Sequence, residues 1–234
     1  MERTGLVITV ASQKGGAGKT TLATGLAAAW RAEGLKVIIV DADPQDTASS
    51  WAAKSPEGQG IDVVSVEQGR LLIRQVPRLA AEYDRVIIDT PPRLGAEQRG
   101  AVLVADVVVI PTCCGGFEGD ALGPTLDYVE AIVAAHPGVP PKVLLVLNKM
   151  SRTLLCDALR ADVAETEITV LGTEIPQRIR IPEAQSAGQT VLDYDPKDPA
   201  AQTFVRLAQE VESHAFTTSS ENHDSKTEAD GHAA

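Results

Sequence analysis

Aromatic side chains are nearly absent: Phe, Tyr and Trp make up 3% of the 234 residues. A core so composed has to be built from Val, Ile, Leu and Ala, which suits buried parallel strands covered by helices. Cysteine is almost as scarce. Cys113, Cys114 and Cys156 form an odd set without CxxC spacing, which supports neither a disulfide framework nor a zinc site. The vicinal pair Cys113-Cys114 follows Val107-Val108-Val109-Ile110-Pro111, where a strand ends and functional loops emerge, so packing, loop, redox and metal roles stay open. No stretch approaches 18 uninterrupted apolar residues, and the first strand arrives too early for a signal peptide. A soluble, cytoplasmic protein is expected. Positive charge is also short, with 21 Lys and Arg against 32 Asp and Glu and a formal net charge of −11. That balance excludes a surface wholly coated in positive potential, so any nucleic-acid contact needs a local patch.

What the chain does have is a recurring apolar pattern. β-Branched runs fall at 5–11, 36–41, 61–66, 84–89, 105–110, 142–148 and 168–173. Helical spacing of three and four occupies 20–33, which stops at Gly34, and 117–135, which stops before Pro137, as well as 152–166 and 198–214. Strands apolar on both faces and joined by helices predict a three-layer α/β fold with a mostly parallel, about seven-stranded sheet between helices. At this length one large domain is the expectation, here residues 1–216, and no repeat of 20 to 50 residues appears. Residues 217–234 are polar and carry Glu221, Asp224, Glu228 and Asp230 against Lys226. Such a segment cannot bury enough surface to fold alone and is expected to be a disordered acidic tail. Without its four acids and one base the net charge moves from −11 to about −8, so the body is acidic in its own right.

The most informative segment is Gln13-Lys14-Gly15-Gly16-Ala17-Gly18-Lys19-Thr20-Thr21, set between an apolar run and a helical pattern. Three glycines let backbone amides approach an anionic oxygen, and the following helix aims its positive end at the same spot. This is a phosphate cradle of the P-loop NTPase kind: Lys19 would reach the β- and γ-phosphates and Thr20 would put its hydroxyl on Mg²⁺. The usual pattern asks for Gly six residues before the Lys. Here that position is Gln13, and a second lysine, Lys14, has been added.

Ligands in a doubly wound sheet lie beyond the carboxyl ends of its strands, and the remaining chemistry falls there. The second strand ends Asp41-Ala42-Asp43-Pro44. One carboxylate of the pair can face a metal or its water shell, for which Asp43 is the choice because Pro44 turns the chain outward. The other would take hydrogen bonds from the phosphate-loop region. The plain alternative for Asp43 is a cap on a helix starting near Pro44. Ile87-Ile88-Asp89 followed by Thr90-Pro91-Pro92 resembles a strand-end aspartate holding a Mg²⁺ water, with a stiff turn placed to sense the γ-phosphate. Asn148 closes the strand Val143–Leu147 where a base should lie and can read a purine edge, or simply close a turn. Pro176 and Gln177 could supply the other wall of a base pocket.

Taken together, Lys14–Thr21, Val40–Gln45, Ile88–Pro92, Asn148, Ile181–Gly188 and Tyr194-Asp195-Pro196 resemble the ParA family of DNA-partition and cargo-positioning ATPases, within the deviant Walker A group that also holds MinD. The likeness spans roughly residues 5–212. It implies ATP and Mg²⁺ as cofactors and an ATP-bound homodimer in which Lys14 crosses to the partner's phosphates. It further implies catalytic roles for Lys14, Lys19, Asp43 and Asp89, and Mg²⁺ contacts from Thr20, Asp43 and Asp89. Slow hydrolysis would wait on a ParB-like or other cargo adaptor, and the ATP form would bind non-specific DNA over the nucleoid. Candidate DNA contacts are Arg152, Arg160, Arg178, Arg180 and Arg206. The first strand begins near residue 5, so the chain resembles the short type without an N-terminal helix-turn-helix. A MinD-like membrane anchor is disfavoured by Glu210, Glu212 and the acidic tail. The enzymatic alternative is an ATP-dependent ligase or synthetase of the same fold, which would have no need of Lys14.

Overall fold

A computed structural model describes residues 5–57, 60–114 and 119–216. The expected acidic tail lies outside these residues. Seven strands are β1 (Leu6–Val10), β2 (Val37–Asp41), β3 (Asp62–Ser65), β4 (Arg85–Asp89), β5 (Val107–Cys113), β6 (Lys142–Asn148) and β7 (Thr169–Val170). They form one sheet in the order β3-β2-β4-β1-β5-β6-β7, and every ladder is parallel. The described helices are α1 (Lys19–Ala32), α2 (Thr47–Ala52), α3 (Gly69–Leu79), α4 (Ala96–Val104), α5 (Gly119–Ala134), α6 (Leu154–Ala164), α7 (Arg180–Ser186), α8 (Val191–Tyr194) and α9 (Pro199–Phe216).

Successive strand residues point to opposite faces, and both faces are dry. Ile8, Val10, Ile39, Ile87, Val109 and Val146 pack beneath α1 and α9, against Leu22, Leu26, Trp30, Phe204 and Leu207. On the other face Val7, Val40 and Ile88 meet Leu72, Val76 and Ala101 of α3 and α4. Val108 and Ile110 meet Val102, Val129 and Ile132 of α4 and α5, and Leu145 and Leu147 meet Cys156 and Val163 of α6. The three-layer architecture therefore matches the expectation. The run at 168–173 yields only two strand residues, because Glu210 of α9 accepts the amides of Gly172 (2.6 Å) and Thr173 (2.9 Å) and diverts them from the ladder.

The α3–α4 crossing needs two glycines. A Cβ on Gly69 would stand 1.9 Å from the Ala96 carbonyl oxygen, and one on Gly100 would stand 2.4 Å from the Gly69 oxygen. Backbone has to move to admit either. Gly100→Ala is expected to destabilise by about 1–3 kcal/mol through overpacking, net of a helix-propensity gain of roughly 1 kcal/mol. A circular-dichroism melt should then record a Tm lower by roughly 2–10 °C, whereas an unchanged Tm would contradict the tight crossing.

Candidate functional site

The loop from β1 to α1 turns through two left-handed residues, Gly16 (φ 78°) and Gly18 (φ 87°), the second being the N-cap of α1. Gly18 is required on two counts, since a Cβ there would also lie 2.4 Å from Asn148 Nδ2. Two side chains from the end of β6 brace the loop. Asn148, buried, donates from Nδ2 to the Ala17 carbonyl (2.7 Å) and accepts the Lys149 amide at Oδ1 (2.9 Å). Lys149, at φ 54°, donates from Nζ to the Gly16 carbonyl (2.6 Å). The Nδ2 end of the Asn148 amide is thus spent on the phosphate loop and the Oδ1 end on the adjacent backbone, a role the base-reading expectation did not include. Lys149 was missed altogether. Its position directly after Asn148 at a strand end is the signal that could have found it.

Lys19 is buried at the start of α1 and donates from Nζ to the Lys14 carbonyl (3.2 Å). Burial lowers its pKa, against the opposing pull of Asp89 and Asp43. Thr20 Oγ1 donates to Asp89 Oδ2 (2.6 Å). Asp89, the last residue of β4, is 1% exposed, and its Oδ1 has no hydrogen-bond partner. Burial dominates its titration and raises its pKa to about 7, with Asp41 and Asp43 adding to the rise and Thr20 and Lys19 opposing it. An orphaned carboxylate oxygen beside a hydroxyl, under a phosphate cradle, is a donor set suited to a hard divalent cation.

The two carboxylates after β2 divide their work. Asp41 is buried, accepting the Asp43 amide (3.2 Å) at Oδ1 and the Ser49 amide (2.9 Å) and hydroxyl (3.1 Å) at Oδ2. Its hydrogen bonds come from the β2–α2 turn, where the phosphate loop was expected. Burial raises its pKa, opposed by these bonds. Asp43 is half-buried and lines the main cavity; among the described residues its carboxylate accepts the Gln45 amide (3.0 Å) and its backbone carbonyl the Asp46 amide (2.9 Å). Helix α2 starts later, at Thr47 with Asp46 as its N-cap, so Asp43 does not cap it.

A cavity of about 1260 Å³ opens over these groups. It is lined by Gly15, Gly16, Gly18, Lys19, Thr20, Thr21 and Asp43, with Asn148, Lys149, Pro176 and Gln177 along one wall. Backbone bonds unite that wall: the Met150 amide donates to the Ile175 oxygen and the Gln177 amide to the Met150 oxygen, both at 2.8–2.9 Å. Ala17 and Lys14 are absent from the lining. Both border a separate small void with Ser12, Ile110, Leu122 and Thr125.

The arginines proposed for DNA do not form one unpaired set. Arg160 makes paired bonds to Glu174 and a third to Asp157 (all 2.7 Å), and Arg180 pairs with Glu183 (2.8 Å) and Asp195 (3.6 Å). Arg206 is exposed on α9 and donates to Thr203 (3.2 Å). Arg178 lies on the cavity rim, and Arg152 is exposed just past β6. The cysteine reading is corrected: Cys114 and Cys156 are disulfide-bonded across 42 residues, and Cys113 is a buried free thiol. The parallel pairing of β5 with β6 brings them together, which spacing alone could not indicate.

Residues 8–191 match the CobQ/CobB/MinD/ParA nucleotide binding domain. The chain belongs to this family. Within it, the chain is 31% identical to the chromosome-partitioning ATPase Soj of Thermus thermophilus, over 87% of this chain and 94% of that protein. The chromosome partitioning protein ParA of Caulobacter vibrioides is 30% identical over 88% of this chain and 93% of its own length. The fold is that of the septum site-determining protein MinD of Pyrococcus horikoshii, solved with Mg-ADP, with a TM-score of 0.72 at 23% identity over 91% of this chain and 98% of that one. The family assignment agrees with the parallel sheet and the cradle at its carboxyl edge.

Proposed function

We propose that this protein is a partitioning or positioning ATPase that binds ATP and Mg²⁺ and pairs with a second copy of itself while the triphosphate is intact. In this reading hydrolysis is slow until an adaptor protein completes the site, and the ATP form holds non-specific DNA. The carried cargo is a plasmid, a chromosome or a protein assembly. The observation that carries the reading is the position of Lys14. Its neighbours Gly15, Gly16, Gly18 and Lys19 line the cavity, while Lys14 is not among the lining residues. Lys19 would serve the subunit's own phosphates from that position. A second loop cation that does not line its own cavity suits delivery to the site of a facing subunit, so that the dimer would hold only while the γ-phosphate is present.

Thr20 and Asp89 would hold Mg²⁺, which when bound neutralises phosphate charge. Asp43, at the cavity rim with oxygen to spare, would hold and orient the attacking water. Asn148 and Lys149 keep the loop in shape, and Pro176 and Gln177 flank the base. The names of the Thermus and Caulobacter relatives support the partitioning role, and among the described residues no helix is long and apolar enough to cross a membrane.

Lys14→Ala is expected to bind ATP within a few-fold of the native protein yet stay monomeric. Light scattering coupled to gel filtration, with ATP and with ADP, reads this out. A variant that still dimerises with ATP removes the cross-subunit role. A small molecule that accelerates hydrolysis in the absence of any protein partner would favour a ligase instead.

A further inference from the structure

Away from the cavity, one helix concentrates positive charge. From Gly69 to Leu79, α3 carries Arg70, Arg74 and Arg78 and no carboxylate, in a chain whose formal net charge is −11. The spacing i, i+4, i+8 lines them along one face, and all three are exposed. The opposite face buries Leu72 and Val76 in the core. None of the three has an ion-pair partner among the described residues. Arg70 makes a single bond, from Nε to Gln68 Oε1 (3.1 Å). Four arginines elsewhere are held by carboxylates, Arg31 by Asp193, Arg85 by Glu212, Arg160 by Glu174 and Arg180 by Glu183, and α3 is the helix that carries three without such a partner. The carboxylates nearest in sequence, Glu67 and Glu82, lie beyond the two ends of α3. The α4 helix that crosses α3 brings one charge of each sign, Glu97 next to Gly69 and the exposed Arg99.

We propose that the α3 face holds the phosphate backbone of nucleic acid. The proposal rests on the partitioning reading above and supplies the surface that reading lacks. At about 1.5 Å per residue the row spans about 12 Å, the length of three to four phosphates of one strand at about 3.4 Å each. Guanidinium forks suit phosphate oxygens, and contacts to phosphate carry no sequence information, so the binding is non-specific. A lipid surface is a poorer fit. An interfacial helix needs an apolar face to insert, whereas α3 spends its apolar face on the core and leaves only Ile73 (45% exposed) beside the arginines. Arg160 and Arg180 are poorer phosphate ligands, because carboxylates already hold them.

The test is fluorescence anisotropy of a labelled duplex of arbitrary sequence, titrated with ATP-bound full-length protein between about 50 and 200 mM salt, the range in which phosphate contacts dominate. The R70A/R74A/R78A variant is expected to bind at least ~10-fold more weakly at the low-salt end, with a salt slope shallower by about 0.9 for each arginine removed. Its melt, ATP-dependent dimerisation and basal hydrolysis should match the native protein, since these side chains touch neither core nor cavity. R70K/R74K/R78K should retain most of the binding, and R160A/R180A should change little. Native-like DNA binding by the triple alanine variant overturns the surface while leaving the partitioning reading intact. A native protein that ignores DNA at low salt in every nucleotide state overturns both. Binding to anionic vesicles in place of DNA would assign the face to lipid and reject the proposal.

Discussion

Asp43→Asn is expected to lower the rate of ATP hydrolysis by about 10²–10⁴-fold, the range for losing a positioned acid–base group, while ATP affinity changes by no more than a few-fold. Asparagine preserves the local shape, because its oxygen can still accept the Gln45 amide that Asp43 holds at 3.0 Å. What disappears is a carboxylate at the rim of the cavity. Asp41 gives the complementary result. It is buried and holds Ser49 and Asp43 in place, so Asp41→Ala strands two backbone amides, the Ser49 hydroxyl keeping Ser65 as a partner, and should destabilise by about 1–3 kcal/mol with only an indirect effect on turnover. On this expectation two carboxylates two positions apart would separate into a chemical and a structural role. Single-turnover hydrolysis beside a thermal melt distinguishes them. Hydrolysis by Asp43→Asn within threefold of native would deny Asp43 its role.

The contrast between Asp41 and Asp43 also marks how far the sequence can be read. All seven strands stand within the apolar runs; the five inner ones are buried on both faces and so need apolar residues at nearly every position, whereas the edge strands β3 and β7 are partly exposed and short. The phosphate loop and Asp89 are equally legible, being local patterns whose geometry follows from a few glycines and a strand end. Helices set by tertiary contact are less so. In α3 the start at Gly69 and an internal Pro77 disguise the pattern, and α4 carries Gly100 for a crossing that only the packed structure reveals. Short α2 and α7 depend on long-range bonds, from Trp51 Nε1 to the Gln189 carbonyl (3.3 Å) and from Gln185 Nε2 to Thr24 Oγ1 (2.8 Å). For Asn148 the loop-bracing bond could not be read, since its partner Ala17 lies 131 residues away. Lys14 was singled out by its residue type, but its absence from the cavity lining needed coordinates.

Asp89→Asn is expected to stabilise the nucleotide-free protein at pH 8 while abolishing its response to Mg²⁺. In the fold the Asp89 carboxyl titrates at about 7, raised chiefly by burial, from an ordinary value of 3.8. Between those values the folded chain keeps a proton that the unfolded chain has released. Stability is therefore greatest below the lower value and is lost as pH rises toward and through 7, by at most about 1.4 kcal/mol per pH unit. Asparagine is neutral throughout and removes that slope. Its amide inherits one partnerless position, that of Oδ1, at a cost of about 1–3 kcal/mol, less than that of an ionised oxygen in the same place. The Tm of the variant relative to native should then increase between pH 5 and pH 8, by roughly 5–10 °C for a gain of about 2–3 kcal/mol. Native Mg²⁺ affinity should strengthen as pH passes 7, because a cation can be held only after the proton leaves; in the variant that dependence should vanish along with Mg²⁺-supported nucleotide binding. Parallel stability profiles for the two proteins across this range would refute a buried, strained Asp89. The same lone oxygen that weakens the empty fold is what makes it receptive to a cation.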